Sequence, residues 1–130
     1  MRGLWLVGLL GCANRLDGNW QGSCVVDTKK GEGTYTLSYL VDDTRGELTG
    51  SASVLAPFLT EAIAGDLTGS VDGDAVSLTV ELGDEVLGFT LRHDLTEGSS
   101  SDSLDGPCEV QVQQEAPFAG SSTLERTDDA

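Results

Sequence analysis

Histidine, basic residues and long apolar runs are all scarce in this chain of 130 residues. Seven lysines and arginines stand against 22 aspartates and glutamates, which gives a formal charge of −15 at pH 7. Nucleic-acid binding requires cations that neutralise phosphates, so this balance excludes nucleic acid as a partner. It favours basic proteins and divalent ions. A surface that is acidic only for solubility would give the same count.

Residues that do chemistry are equally few. His93 is the only histidine, and no serine or cysteine nucleophile accompanies it in a recognisable pattern. Its place at the end of a predicted strand indicates a structural histidine or one at the rim of the fold. Cys24 and Cys108 lack the close paired spacing of a zinc site. The sequence therefore predicts no enzyme, no cofactor and no metal site.

Several acidic pairs offer carboxylate oxygens of the kind that calcium binds. Asp42 with Asp43 and Asp72 with Asp74 are examples, and both pairs fall in predicted turns. The loop from Asp72 to Glu85 lacks the alternating acids and the central glycine of an EF-hand. Aspartate beside glycine is explained by turn formation without a metal.

Helical spacing is almost absent, and from Trp20 onward apolar residues alternate with polar ones. A period of two is typical of strands that have one buried and one wet face. The predicted inward residues of eight strands are, in order: Trp20, Gly22, Cys24 and Val26; Tyr35, Leu37, Tyr39 and Val41; Leu48, Gly50, Ala52 and Val54; Ile63, Gly65, Leu67, Gly69 and Val71; Val76, Leu78, Val80 and Leu82; Leu87, Phe89 and Leu91; Leu104, Gly106, Cys108, Val110 and Val112; Phe118, Gly120, Ser122 and Leu124. A tight turn is predicted at Asp72–Asp74, and the apolar segment 55–62 is expected to cap one end of the fold as a helical turn.

Eight sequential antiparallel strands with one apolar face either close into a barrel or split into a sandwich. Closure removes both edge strands, which favours a single all-β domain with an eight-stranded antiparallel up-and-down barrel over residues 19–127. Residues 47–51 are echoed by residues 66–70, each with a leucine followed two residues later by a glycine. Repeated inward glycines suit strands that coil sharply in a small barrel.

The first residues of the chain carry the most specific motif. A short apolar run ends in Leu9, Leu10, Gly11 and Cys12, which resembles the lipobox of bacterial lipoproteins. The resemblance implies a signal peptide at 1–11, a lipid on Cys12 and a short tether at 12–18, with an acidic tail at 128–130. An ordinary hydrophobic N-terminus, or a secretory peptide cut elsewhere, is the alternative. About seven apolar residues cannot cross a membrane, which requires roughly 20.

The residue after the predicted lipid site bears on location. Ala13 in place of aspartate follows the pattern that, in such lipoproteins, means the outer membrane. We expect the domain to face the periplasm, with the cell surface as the alternative. From Cys12 to Trp20 an extended tether reaches only about 26 to 29 Å, so the domain stays close to its membrane.

A second resemblance concerns the barrel. Gly18, Asn19 and Trp20 resemble the G-x-W opening of lipocalin- and avidin-like barrels, and Arg126 lies where lipocalins often place an arginine against that tryptophan. The resemblance implies that Trp20 and Arg126 close one barrel end, with the guanidinium stacked over the indole. Such folds often hold a ligand. Here the inward residues are mostly aliphatic or glycine, which predicts a packed interior or a small apolar cavity.

Two cysteines remain once Cys12 carries lipid. In an oxidising compartment Cys24 and Cys108 are expected to form a disulfide, with two buried thiols as the alternative. In an eight-strand meander their strands are second neighbours, about 10 Å apart, whereas a disulfide needs Cα atoms within about 7 Å. Either the barrel bends there or the strand assignment near Pro107 is wrong.

These observations favour a non-enzymatic, membrane-anchored lipoprotein that serves as a binding or assembly module of the cell envelope. One alternative is an inhibitor of a basic secreted or host hydrolase, such as lysozyme or a protease. Another is a carrier of a small apolar ligand.

Overall fold

The computed structural model describes residues 16–28, 31–57, 59–83, 88–98, 102–112 and 117–127. The predicted signal peptide at 1–11, the lipid site at Cys12, residues 12–15 of the tether and the tail at 128–130 lie outside these residues. Eight strands make up the fold: β1 (Gly18–Thr28), β2 (Gly31–Thr44), β3 (Glu47–Leu55), β4 (Ile63–Asp72), β5 (Ala75–Gly83), β6 (Gly88–Glu97), β7 (Ser103–Val112) and β8 (Phe118–Arg126). The described part of the chain contains no helix long and apolar enough to cross a membrane.

The strands form a closed barrel in which each pairs with its neighbour in sequence. β1 and β8 complete the ring by antiparallel pairing from Trp20 opposite Arg126 to Val26 opposite Gly120. The predicted eight-stranded up-and-down barrel is confirmed. Because every strand has two partners, the barrel has no open edge at which another chain could add a strand.

Alternation of side chains places the apolar set inside. Along β2, buried residues alternate with exposed ones from Gly33 to Thr44, and the same alternation recurs in β5 and β6. Strand β6 runs to Glu97, further than the sequence pattern indicated. His93 therefore lies in mid-strand with 2% of its surface exposed. It is a structural histidine, one of the two expected alternatives, and its predicted place at a strand end is wrong. Leu87 lies outside the described residues.

The β2–β3 and β4–β5 hairpins have loops of two residues each. In the β2–β3 hairpin, Arg45 and Gly46 have φ angles of 55° and 89°, and positive φ at both positions is the requirement of a type I′ turn. In the β4–β5 hairpin, Asp72 pairs with Ala75 and Gly73 has a φ of 64°. This confirms the predicted turn. Both loops match the twist of their strands and set their register.

The barrel has two ends, which we name after buried aromatic residues. The Trp20 end contains the start of β1, the end of β8, the two tight hairpins and the β6–β7 connection. The Phe89 end contains the other connections, among them residues 56–62. Among the described residues of that segment, the N–H of Leu59 donates to the carbonyl oxygen of Ala56 at 3.0 Å, which forms a turn, and none of these residues is helical. Ala56 is buried and Leu59 packs on the core, whereas Phe58 lies outside the described residues.

A disulfide joins Cys24 of β1 to Cys108 of β7 across β8, with the two Cα atoms 6.2 Å apart. Gly120 of β8 pairs with Val26 on one side and with Cys108 on the other. A Cβ at Gly120 would lie 1.9 Å from the carbonyl oxygen of Val25. Because Gly120 has no side chain, β1 lies close against β8 there, and the two neighbours of β8 approach each other. The strand assignment at Pro107 is correct, so the barrel flattens or bends at this point.

Candidate functional site

Three polar side chains from three strands meet inside the barrel. The hydroxyl of Tyr39 lies 2.7 Å from Nε2 of His93, and Nδ1 of His93 lies 3.0 Å from Oγ of Ser122. The Ser122 hydroxyl donates to the carbonyl oxygen of Gly106 at 3.2 Å. All three side chains are buried. A serine beside a histidine is the arrangement in which a nucleophile would be sought.

The direction of the hydrogen bonds decides what this cluster can do. Since Ser122 donates its proton to Gly106, its oxygen accepts from Nδ1–H of His93, and Nε2 then accepts from the hydroxyl of Tyr39. An activating base must instead accept the proton of the serine. The order of donors is thus reversed relative to a catalytic pair, and each group has a partner. The cluster is suited to holding strands β2, β6, β7 and β8 together.

Burial sets the charge state of the cluster. Removal from water lowers the pKa of His93 to about 4 and raises the pKa of Tyr39, because a dry interior disfavours both the imidazolium and the phenolate. Both groups are therefore neutral at pH 7, as the donor order requires.

The Trp20 end is closed by the two residues that its resemblance implied. Cζ of Arg126 lies 4.6 Å from the centroid of the Trp20 ring. The guanidinium also forms an ion pair with Asp102, Nε to Oδ1, at 2.9 Å, and donates from Nη1 to the carbonyl oxygen of Asp17. The aromatic face, the carboxylate and the carbonyl together stabilise a charge of which only 15% of the side-chain surface is exposed.

A second contact at this end ties down the start of the described chain. Leu16 is 3% exposed; its N–H donates to Oδ2 of Asp43 at 3.1 Å, and its carbonyl oxygen accepts from Nε1 of Trp20 at 2.9 Å. Asp43 also accepts from the N–H of Gly46 at 2.9 Å. The side chain of Leu16 thus fills the Trp20 end of the barrel.

Asp43 corrects the expectation that the pair with Asp42 lies in a turn. Both residues belong to β2, and Asp43 is 3% exposed. Its buried carboxylate is satisfied by backbone N–H groups. The parity of β2 places it inward after Val41, and that signal could have found it. The same parity on β6 would have placed His93 inside after Leu91.

The interior beneath Leu16 leaves very little room. The space that the centre of a water-sized sphere can occupy there is about 10 Å³, roughly what one water molecule needs. Small-molecule pockets run to about 300–1,000 Å³. The space beneath Leu16 is lined by nine residues: Leu16, Trp20, Tyr39, Val41, Leu48, Val76, Leu78, Leu104 and Leu124. The interior at this end is thus packed.

The outer wall is rich in hydroxyls and acids. Asp66 lies directly opposite Glu81 and Asp27 opposite Glu32, and cross-strand pairs of like charge destabilise a sheet. The side chain of Leu40 is 53% exposed.

Among the residues that the structure describes, no group of three or more histidine, cysteine or acidic side chains is placed to hold a metal ion.

Comparison of the chain with protein-family models, with curated proteins and with solved structures finds no match.

Proposed function

We propose that the protein is a lipid-anchored lipoprotein of the bacterial cell envelope, located at the outer membrane and facing the periplasm, whose barrel is a non-enzymatic binding or assembly module. The close packing of the interior at the Trp20 end is the observation that carries this proposal. A barrel that is filled at this end presents its outer wall and its ends to partners. The reversed donor order at Ser122 and His93 is in keeping with a structural cluster.

The anchor rests on the sequence Leu9, Leu10, Gly11, Cys12. A lipid at Cys12 would be followed within four residues by Leu16, which is already part of the fold. Several acyl chains on one terminus bind a bilayer firmly. The disulfide is in keeping with an oxidising compartment such as the periplasm.

The partner best suited to this surface is a basic protein. The formal charge of −15 attracts cationic surfaces at long range. Neutralisation by a partner would also relieve the repulsion between Asp66 and Glu81.

Two measurements test the proposal. A fatty-acid probe should label the wild-type protein in cells and should not label the Cys12→Ser variant; label that persists in the variant contradicts the anchor. The lipidated protein should then capture a basic envelope protein in a salt-sensitive manner. Neutralising Asp66 and Glu81 as Asn and Gln should weaken capture.

The control for that variant is the same neutralisation at Asp27 and Glu32, which changes the net charge equally at another place. Equal loss in both variants means that net charge alone drives binding, and no loss in either contradicts a basic partner. A captured hydrolase that loses activity supports the inhibitor alternative. A co-purifying small molecule supports the carrier alternative and contradicts the binding module.

A further inference from the structure

We propose that the Trp20 end of the barrel lies against a lipid surface of zwitterionic headgroups, so that the Phe89 end projects away from the membrane. This inference rests on the proposed lipid at Cys12. If the Trp20 end faces the membrane, the Phe89 end is the part of the protein that is accessible to partners.

The first step is the length of free chain. Hydrogen bonds to Asp43 and Trp20 incorporate Leu16 into the barrel end, and Arg126 holds the carbonyl of Asp17. Only residues 13–15 separate Leu16 from Cys12. Four peptide steps span at most about 13 to 14 Å, which is half of the roughly 26 to 29 Å that the eight steps from Cys12 to Trp20 would allow.

The tether joins the barrel at its Trp20 end. Leu16 contacts the interior at the Trp20 end, next to the β2–β3 hairpin, whose Gly46 binds the same carboxylate. Strand β5 alone has nine residues and extends about 30 Å at 3.3 to 3.4 Å per residue. Because the tether is shorter than the strands and starts at one end, the barrel cannot turn that end away from the bilayer.

The third step is charge, which selects the lipid. The described residues at the Trp20 end carry more acids than bases; the acids include Asp17, Asp42, Asp43, Glu47, Asp72, Asp74, Glu97, Asp102 and Glu125, and the bases include Arg45 and Arg126. Anionic headgroups create a negative surface potential that repels such a rim within a Debye length. A zwitterionic surface does not. We therefore expect the end to approach zwitterionic lipid closely and to be held off anionic lipid at the limit of the tether.

The test uses two spin-label sites that are chemically matched. Asp74→Cys lies in the β4–β5 hairpin at the Trp20 end, and Glu32→Cys lies at the start of β2 at the Phe89 end. Both native side chains are exposed acids. Lipidated protein purified from membranes is labelled with a nitroxide and placed in phosphatidylcholine vesicles that contain a nickel-chelating lipid. Relaxation by nickel should be several-fold stronger at position 74 than at position 32.

Equal relaxation at the two sites, or stronger relaxation at position 32, would overturn the orientation. Replacing part of the lipid with phosphatidylglycerol should weaken relaxation at position 74, and added salt should restore it. Stronger relaxation with phosphatidylglycerol would contradict the lipid assignment. Insertion of a flexible linker of about 20 Gly and Ser residues before Leu16 adds a span of roughly 25 Å and should abolish the difference between the sites.

A parallel preparation separates this inference from the proposed anchor. A chain that begins at Cys12 is coupled to a lipid carrying a cyanobenzothiazole group, which condenses with the N-terminal cysteine and consumes its thiol. If cells fail to lipidate Cys12, the proposed anchor is wrong, yet the coupled protein still reports whether the geometry of Leu16 orients the barrel.

Discussion

The two ends of the barrel are closed by different physical means. At the Trp20 end, Leu16, Asp43 and Arg126 form directed hydrogen bonds and an ion pair. At the Phe89 end, Tyr35 and Phe89 contact each other with ring centroids 5.9 Å apart, and four half-buried apolar side chains pack on the core: Leu59, Ile63, Val112 and Phe118.

The difference teaches where geometry is specified and where it is adaptable. Directed bonds to buried groups allow one arrangement, since each lost partner leaves an unsatisfied charge or dipole. Apolar packing tolerates changes of similar volume. The Trp20 end is thus suited to a rigid attachment, and the Phe89 end has apolar side chains that are only partly covered.

We expect the largest effect on stability from removing the disulfide between Cys24 and Cys108, which constrains both ends of the barrel. Replacing Cys24 and Cys108 by alanine opens a loop with a sequence separation of 84 residues, for which the chain-entropy model gives about 4 to 5 kcal/mol of stability. The free energy of urea unfolding should fall by that order, and amide exchange should rise at both ends together. Exchange that rises only at one end would show that the ends unfold separately.

Acid should weaken the middle of the barrel by a smaller amount. Burial lowers the pKa of His93 to about 4, against about 6.5 in an unfolded chain. The native state therefore binds fewer protons, so this contribution to stability is complete above pH 6.5 and is lost as the pH falls towards 4. The loss is of the order of 3 kcal/mol.

The acid effect is isolated by the His93→Gln variant, which does not titrate in this range and whose amide can both donate and accept. Both proteins are unfolded in urea at pH 7, 5.5 and 4. Because they contain the same carboxylates, the contribution of those carboxylates cancels when their free energies of unfolding are compared. The wild type should lose stability relative to the variant as the pH falls. Parallel curves would contradict the assignment of a neutral buried imidazole.

One substitution made at both ends measures their difference directly. Leu16→Ala removes a buried side chain and should lower the free energy of unfolding by about 2 to 3 kcal/mol. Leu59→Ala removes a half-buried side chain and should lower it by about 1 kcal/mol. Chemical denaturation of the two variants gives both numbers. Equal costs would contradict the view that Leu16 belongs to the folded end.

The guanidinium at the Trp20 end is expected to contribute less than Leu16. Arg126→Ala should destabilise the barrel by about 1 to 2 kcal/mol and shift the fluorescence of Trp20 to the red, while amide exchange near Phe89 stays unchanged. Arg126→Lys should recover little, because lysine lacks the planar surface that stacks on indole. A lysine variant equal to the wild type would show that charge alone closes this end.

Sequence reasoning was accurate for strands and incomplete for the polar interior. The alternation around Tyr35–Val41 and the turn at Gly73 are local signals, and the structure confirms both. The polar residues after Leu91 break the apolar pattern of β6, so the local signal predicts a strand end at His93. Paired aspartates are common in turns, so residue type predicts a turn at Asp43. In both cases strand parity was the better guide than residue type.

The sequence by itself determined the number of strands and most of their inward faces, and it favoured closure of the barrel, since alternation and turn chemistry act between near neighbours and closure removes exposed edges. Only the tertiary structure decided that the ring closes and which inward residues meet. The approach of Cys24 to Cys108 depends on how closely β1 lies against Gly120 of β8, and the contacts of His93 with Tyr39 and Ser122 depend on the stagger of all eight strands. Stagger and coiling are properties of the closed ring, so residues that are distant in sequence meet only once the whole barrel has formed.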